Sequence, residues 1–235
     1  MGVQRGPSIV SNGLVGCWDA ASKKSYPGSG TWKDISGQGN DATYDDTGSS
    51  PTFVDQHGGY FTLGSGTDDF FYHDTPAAFN NKYLQDINIT VEVWASLQSF
   101  GGCCAALWSF GQYQFQLAPD NSYASGGKMS NYVRSGAWLT STGSITNLNQ
   151  WYCYVTTHST SAATTYNLYV DGNFNSSDTT SNNPQFTYGT NAFGTNNYNS
   201  PTVYPLSIAV VRMYDRVLTA SEIKKNYNAT KGRFK

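Results

Sequence analysis

Turn-forming residues interrupt this chain about every ten positions, and that spacing limits what it can fold into. Gly, Asn, Asp, Ser and Pro recur along its length, and between them lie short runs rich in Val, Ile, Thr, Tyr, Phe and Trp. Such runs fit pleated, half-buried strands, and many of them at regular spacing describe a sandwich or barrel. The clearest is "INITVEVWA": Ile87, Ile89, Val91 and Val93 point one way, and Asn88, Thr90, Glu92 and Trp94 the other. "QWYCYVTTHS" sets Trp151, Cys153 and Val155 against Tyr152, Tyr154 and Thr156. "TTYNLYVDG" runs into an Asp171-Gly172 hairpin turn with "NFNSS" as the return strand. "YPLSIAVVRMYDR" is nearly all apolar, as a central strand would be. "ALWSFG" and "QYQFQLA" predict a second hairpin around Gly111-Gln112, and "GGYFTLG" and "FFYHD" flank the turn "SGTDD". "PAAFNNKYLQD" has room for one helical turn. Residues 28–48 and 179–200 read as polar, aromatic-containing loops. No repeat and no linker divides the chain, so residues 1–235 are expected to form one domain.

One segment departs from the strand rhythm. "LTASEI" spells a helix start at Thr219, with Glu222 placed to complete a capping box and Leu218 and Ile223 placed to staple the entry. The expected helix covers about residues 219–230. Ile223 and Tyr227 lie four apart and share a narrow face, and Lys224 and Lys225 follow toward the negative end of the dipole. So short a helix is marginal alone and must dock on something larger.

Composition excludes several functions. Charged residues are only 13% of the chain, about half the usual share, and net charge is −2, so no basic groove for nucleic acid is expected. No stretch approaches a membrane span. The opening "MGVQRGPSIVSNGLVG" lacks the apolar core of a signal peptide, so the chain is expected either to stay in a cytosol or to have lost its signal. Of the four cysteines, Cys17 and Cys153 sit in strand-like runs and read as buried thiols. Cys103 and Cys104 are adjacent, which suits neither an ordinary disulfide nor a zinc site.

Several segments together resemble a known family. "GPSIVSNGLVGCWDAASKKSYPGSGTWKDISGQGNDATY", "GGYFTLGSGTDDFF", "ITVEVWA", "WYCYVTT", "YNLYVDG" and "PLSIAVVRMYDRVLTASEI" occur in the order found in laminin-G-like modules of the concanavalin A-like lectin/glucanase superfamily. The opening segment and the closing "NYNATKGRF" look most like versions in tailed-phage structural proteins. The resemblance implies an all-β jelly-roll sandwich of two antiparallel sheets, the first strand returning beside the last, with the C-terminal helix over an end or edge of the sandwich.

Glucanases of that superfamily carry two Glu on one strand face, because retaining hydrolysis needs paired carboxylates. This chain has two Glu in all: Glu222 belongs to the helix cap, and Glu92 has Thr90 and Trp94 as its same-face neighbours, so no enzyme is expected. His57, His73 and His158 lie in separate segments, and His73-Asp74 reads as a solvated loop pair. Relatives often bind calcium through loop carboxylates, which makes Asp68, Asp69, Asp34 and Asp19 candidates; the alternative is that they make turn hydrogen bonds. Sugars dock on aromatic faces, and the aromatics of the turn-rich regions are the candidates: Trp108, Tyr113, Tyr132, Trp138 and Tyr198, with Phe193 near the last. Trp108 and Trp138 have core positions as their alternative. The expected function is a non-enzymatic virion structural protein on a phage capsid or tail surface, contacting other virion proteins, further copies of itself or host polysaccharide. The alternative is an extracellular, calcium-dependent carbohydrate-binding module.

Overall fold

The computed structural model describes residues 8–44, 50–64, 69–74, 76–79, 88–99, 106–110, 115–119, 128–133, 137–140, 147–159, 164–180, 191–195 and 205–235. Its strands are β1 (Leu14–Asp19), β2 (Thr52–Val54), β3 (Tyr60–Leu63), β4 (Phe71–His73), β5 (Ile89–Leu97), β6 (Trp108–Phe110) and β7 (Phe115–Pro119), followed by β8 (Met129–Val133), β9 (Ala137–Thr140), β10 (Trp151–Ser159), β11 (Thr164–Val170), β12 (Asn173–Thr180), β13 (Asn191–Phe193) and β14 (Leu206–Tyr214). One α-helix, α1 (Ala220–Thr230), follows. A single 3-10 turn at Ala77–Phe79 occupies the segment expected to hold a helical turn.

The strands form two antiparallel sheets. The larger has eight strands in the order β12-β11-β10-β5-β14-β3-β2, and β1 pairs with β14 beside β3. The long apolar β14 is central: β5 lies along one side, while β3 takes Leu206–Ile208 and β1 takes Val210–Tyr214 on the other. The first strand thus returns beside the last. The smaller sheet has the order β4-β13-β6-β7-β8-β9. The β11–β12 hairpin turns at Asp171 and Gly172 with φ of 53° and 73°, the left-handed pair a two-residue turn requires.

The period-2 pattern sorts the larger sheet into two faces. Ile89, Val91 and Val93 join Tyr154, Ile208 and Met213 in a core shared with Phe71, Trp108 and Phe193 of the smaller sheet. Trp94, Cys153, Val155 and Tyr214 point outward and form a second cluster with Leu218, Ile223 and Tyr227. Helix α1 therefore lies on the outer face of the larger sheet rather than over an end or edge of the sandwich. The reason is visible in β5 and β10, whose outward residues include Trp94, Cys153 and Val155, all fully buried. A sheet with apolar residues on both faces needs a cover on both.

The helix start follows its sequence signal. Thr219 Oγ1 accepts from the Glu222 N–H at 3.3 Å, and Glu222 Oε2 accepts from the Thr219 N–H at 2.9 Å. Arg216 also grips Glu222 with two N–H groups at 2.9 and 2.6 Å. That pair, then the Thr219 amide, holds the Glu222 carboxyl down to about 2. The helix ends at Thr230, as its expected bounds had it, with Lys224 and Lys225 at its middle. Asn226 and Thr230 are buried beside Ile223 and Tyr227, so the docking stripe is wider and more polar than expected.

Other expectations change as well. The 179–200 region is not wholly loop: it holds the end of β12 and all of β13, and Phe193 is fully buried. His73 is not a solvated loop residue. It sits in β4 with its ring 4.8 Å from Trp18 and 5.2 Å from Phe193, and burial pulls its pKa down to about 4. Cys17 and Cys153 are buried free thiols, and burial pushes Cys17 up to about 11. Cys103 and Cys104 lie outside the described residues. Among the described residues, no helix is long and apolar enough to cross a membrane.

Candidate functional site

The aromatic and acidic candidates from the sequence do not converge on one place. Trp108 is fully buried between the sheets, where its register partners are Phe193 and Leu117, so it offers no face to a ligand. Its alternative as a core residue is the correct one. Tyr132 and Trp138 are register partners across β8 and β9, but their side chains lie outside the described residues. Tyr113, Tyr198 and Asp68 also lie outside them.

Asp34 organises a turn. Its Oδ1 accepts from the N–H groups of Cys17 and Ser36, each at 2.8 Å, and its Oδ2 accepts from Ser36 Oγ at 2.8 Å and Asn40 N–H at 3.1 Å. This is the Asx-type role, with both oxygens engaged. Asp19 pairs with Arg233 at 2.8 Å and accepts from the Ala21 N–H. Asp69 is buried: one oxygen accepts from the Gly64 N–H, the other has no hydrogen-bond partner, and burial raises its pKa. Among the described residues, no three His, Cys, Asp or Glu side chains gather into a metal-sized group.

Glu92 is also committed to structure. It faces out from β5 and pairs with Arg212 of β14, with side-chain exposures of 1% and 4%. Its second oxygen accepts from Asn226 of α1 at 3.0 Å. Asn226 also donates to the Tyr214 hydroxyl at 2.9 Å and accepts from the Val10 N–H at 2.8 Å. Arg212 reaches Thr230 at 3.0 Å. This buried network pins the helix and the N-terminal segment to the sheet, and it leaves Glu92 no route to a substrate.

A concave feature lies on that same outer face, beyond the end of the helix. His57, Tyr60, Ser96, Gln98, Asn149, Trp151 and Ser207 line a pocket of about 230 Å³. Strand register builds it. Trp151 is opposite Ser96 across β10–β5, and Ser96 is opposite Ser207 across β5–β14. Two small side chains in mid-row make a low floor, at 5% and 2% exposure, beside the tall Trp151. The Gln98 amide nitrogen caps this floor, donating to Ser207 Oγ at 3.1 Å and to the Ser96 carbonyl at 3.3 Å.

An aromatic ribbon forms the wall. The Trp151 ring is 5.1 Å from Tyr60 and 4.6 Å from Phe234, and Phe234 is 4.7 Å from Trp94. Trp94 in turn stacks on Tyr227 of the helix at 5.7 Å, so the wall is continuous with the helix dock. His57 rests against the same rings, 6.1 Å from Trp151 and 5.9 Å from Phe234. His57 and Asn149 both hold positive φ, 51° and 61°. Side chains rarely adopt that conformation, and it recurs where a ligand or tight turn demands it. The loop before β3 also requires Gly59, since a Cβ there would stand 2.8 Å from the Ala20 carbonyl oxygen.

Sequence reasoning missed this pocket. Trp151 was visible as an outward strand residue. The serines that make the depression were invisible, because nothing marks Ser96 and Ser207 as neighbours until the β5–β14 register is known.

The arrangement suits a polyhydroxylated ligand: half-buried rings for its apolar face, with hydroxyl and amide groups for its oxygens. Among the described residues that line the pocket there is no carboxylate.

Comparison with known structures places the fold. The botulinum neurotoxin serotype D binding domain superposes with a TM-score of 0.65 at 15% identity, over 93% of this chain and 52% of that one. The serotype G binding domain gives 0.68 at 15%, over 91% and 50%. Trypanosoma rangeli sialidase, solved with the inhibitor DANA, gives 0.68 at 14%, over 97% and 34%. The chain therefore spans about half or less of each of these structures, and the likeness concerns the fold. No curated protein matches it in sequence. Residues 65–224 match the family Laminin_G_3, and the chain belongs to that family of the Concanavalin A-like lectin/glucanases superfamily.

Proposed function

We propose that the protein is a non-enzymatic carbohydrate-binding module that works through the outer-face pocket. The observation that carries this reading is the pocket's chemistry: an aromatic wall over a floor of Ser, Gln and Asn, with no acid among the described residues of its lining. The superfamily includes lectins, which supports the class of ligand. The buried engagement of Glu92 supports binding without hydrolysis.

The test is a glycan array probed with the full chain, in calcium and in EDTA. Binding in both buffers is the expected result. Binding in calcium alone would move the site to the loop acids, Asp69 first. Release of reducing sugar from a bound glycan would overturn the non-enzymatic reading.

A second reading rests on the opening and closing segments, which resemble tailed-phage structural proteins. It places the module on a virion surface, docked on capsid or tail proteins, with host polysaccharide as the glycan. Quantitative mass spectrometry of purified particles tests it. Many copies per shell protein indicate capsid decoration, a few indicate a tail or vertex, and absence removes the virion setting while leaving the binding module intact.

A further inference from the structure

Resting on the glycan-binding reading, we infer that the pocket takes a single uncharged pyranose, the terminal or branch residue of a neutral glycan. Three observations converge on that ligand class.

The first is size. A volume of about 230 Å³ falls below the roughly 300–1,000 Å³ of drug-sized sites, which leaves room inside the pocket for about one sugar ring.

The second is charge. Among the described residues, no Asp, Glu, Lys or Arg lines the pocket. The nearby cation is Arg233, and each of its guanidinium nitrogens is engaged: Nη1 with Asp19 at 2.8 Å, Nη2 with the Gly59 carbonyl at 3.0 Å, and Nε with the His57 carbonyl at 3.0 Å. A sialic or uronic acid carboxylate would be desolvated with no free cation to meet it, or would have to break the Asp19–Arg233 pair.

The third is the sense of the hydrogen bonds. His57 Nδ1 is 2.9 Å from the Arg233 carbonyl, which can only accept. Nδ1 therefore carries a hydrogen and is spent on that carbonyl. The Gln98 amide nitrogen is likewise spent on the floor. The lining also presents hydroxyl and amide groups, Ser96, Ser207, Gln98 and Asn149, which pair with the hydroxyls of a sugar ring. The Trp151 and Tyr60 rings then receive the C–H face of the pyranose.

The experiment is saturation-transfer NMR followed by calorimetry on the full chain. The probes are methyl glycosides of glucose, galactose, mannose and N-acetylglucosamine, set against glucuronate and N-acetylneuraminate, at low and high salt. The expected result is a dissociation constant on the order of 1 mM for at least one neutral glycoside, unchanged by salt. Trp151→Ala weakens it by about tenfold or more. Gln98→Ala, which leaves the aromatic ribbon untouched, also weakens it while melting as wild type does. Salt-sensitive binding of the acidic sugars alone would overturn the assigned class and keep the glycan-binding reading. Glycan binding that neither variant alters would overturn the pocket assignment. Failure to bind any probe, together with a blank glycan array, would overturn both.

Discussion

The two faces of the eight-stranded sheet are both buried, but by different means. The inner face is apolar side chains against apolar side chains: Ile89, Val91 and Val93 meet Phe71, Trp108 and Phe193 across the sandwich. The outer face carries a buried ion pair, an aromatic ribbon, a capped helix and an open pocket within a few strands of one another. Burial of the inner face stabilises by area and tolerates repacking. The outer face is specified by hydrogen-bond partners that must all be present, which makes it the more brittle of the two.

The largest expected effect tests that brittleness. Arg212→Ala strands the Glu92 carboxylate beneath the helix and should cost about 3–5 kcal/mol in chemical denaturation. Replacing Arg212 and Glu92 together with Met and Leu should recover most of that loss. If the double variant is as unstable as the single one, the cost lies in lost packing and the two faces differ less than they look.

The next effect concerns the inner face, where His73 is one of several buried polar side chains. The folded state holds its ring neutral down to about 4, whereas the unfolded chain protonates it near the ordinary 6.5. Between those values the unfolded state binds more protons, so stability falls as pH falls across that window, by up to about 3 kcal/mol. His73→Phe should flatten this part of the pH–stability curve, and an unchanged curve would show that His73 does not set the acid sensitivity.

The smallest effect lies at the helix start. Glu222→Gln weakens the cap and the Arg216 pair and should cost about 1 kcal/mol at neutral pH. The Glu222 carboxyl is held low in the folded state, so its contribution is present above the ordinary carboxylate range and fades as pH drops toward 2. The variant and wild type should therefore converge in acid. A thermal melt series read against pH checks this.

The sequence made the inner face legible and the outer face only half so. Alternation in "INITVEVWA" correctly separated Val91 and Val93 from Glu92 and Trp94, because the period of a strand is a local property. The cap at Thr219 was readable for the same reason: its partners lie within four residues. Glu92 could not be read, since its partners Arg212 and Asn226 lie more than a hundred residues away. The pocket failed the same way. Trp108 was named a sugar platform and Trp151 was not, and only the packing of the sheets buries the one and leaves the other at a rim. His73 was misplaced because "FFYHD" reads equally well as the end of a strand or the start of a loop.

The bond from Val10 to Asn226 joins residues 216 positions apart, and the Tyr214 hydroxyl donates back to the Val10 carbonyl at 3.1 Å. Closing such distant segments is slow, because chain entropy must be surrendered before the contact returns anything. During synthesis the N-terminal segment emerges long before its partners exist. Until α1 arrives, Trp94 and Trp151 stand in water, and the Glu92–Arg212 pair lacks its cover. A nascent chain stalled before residue 220 would thus display a sticky, charged sheet face to its neighbours, and residues 220–235 would serve as its own chaperone.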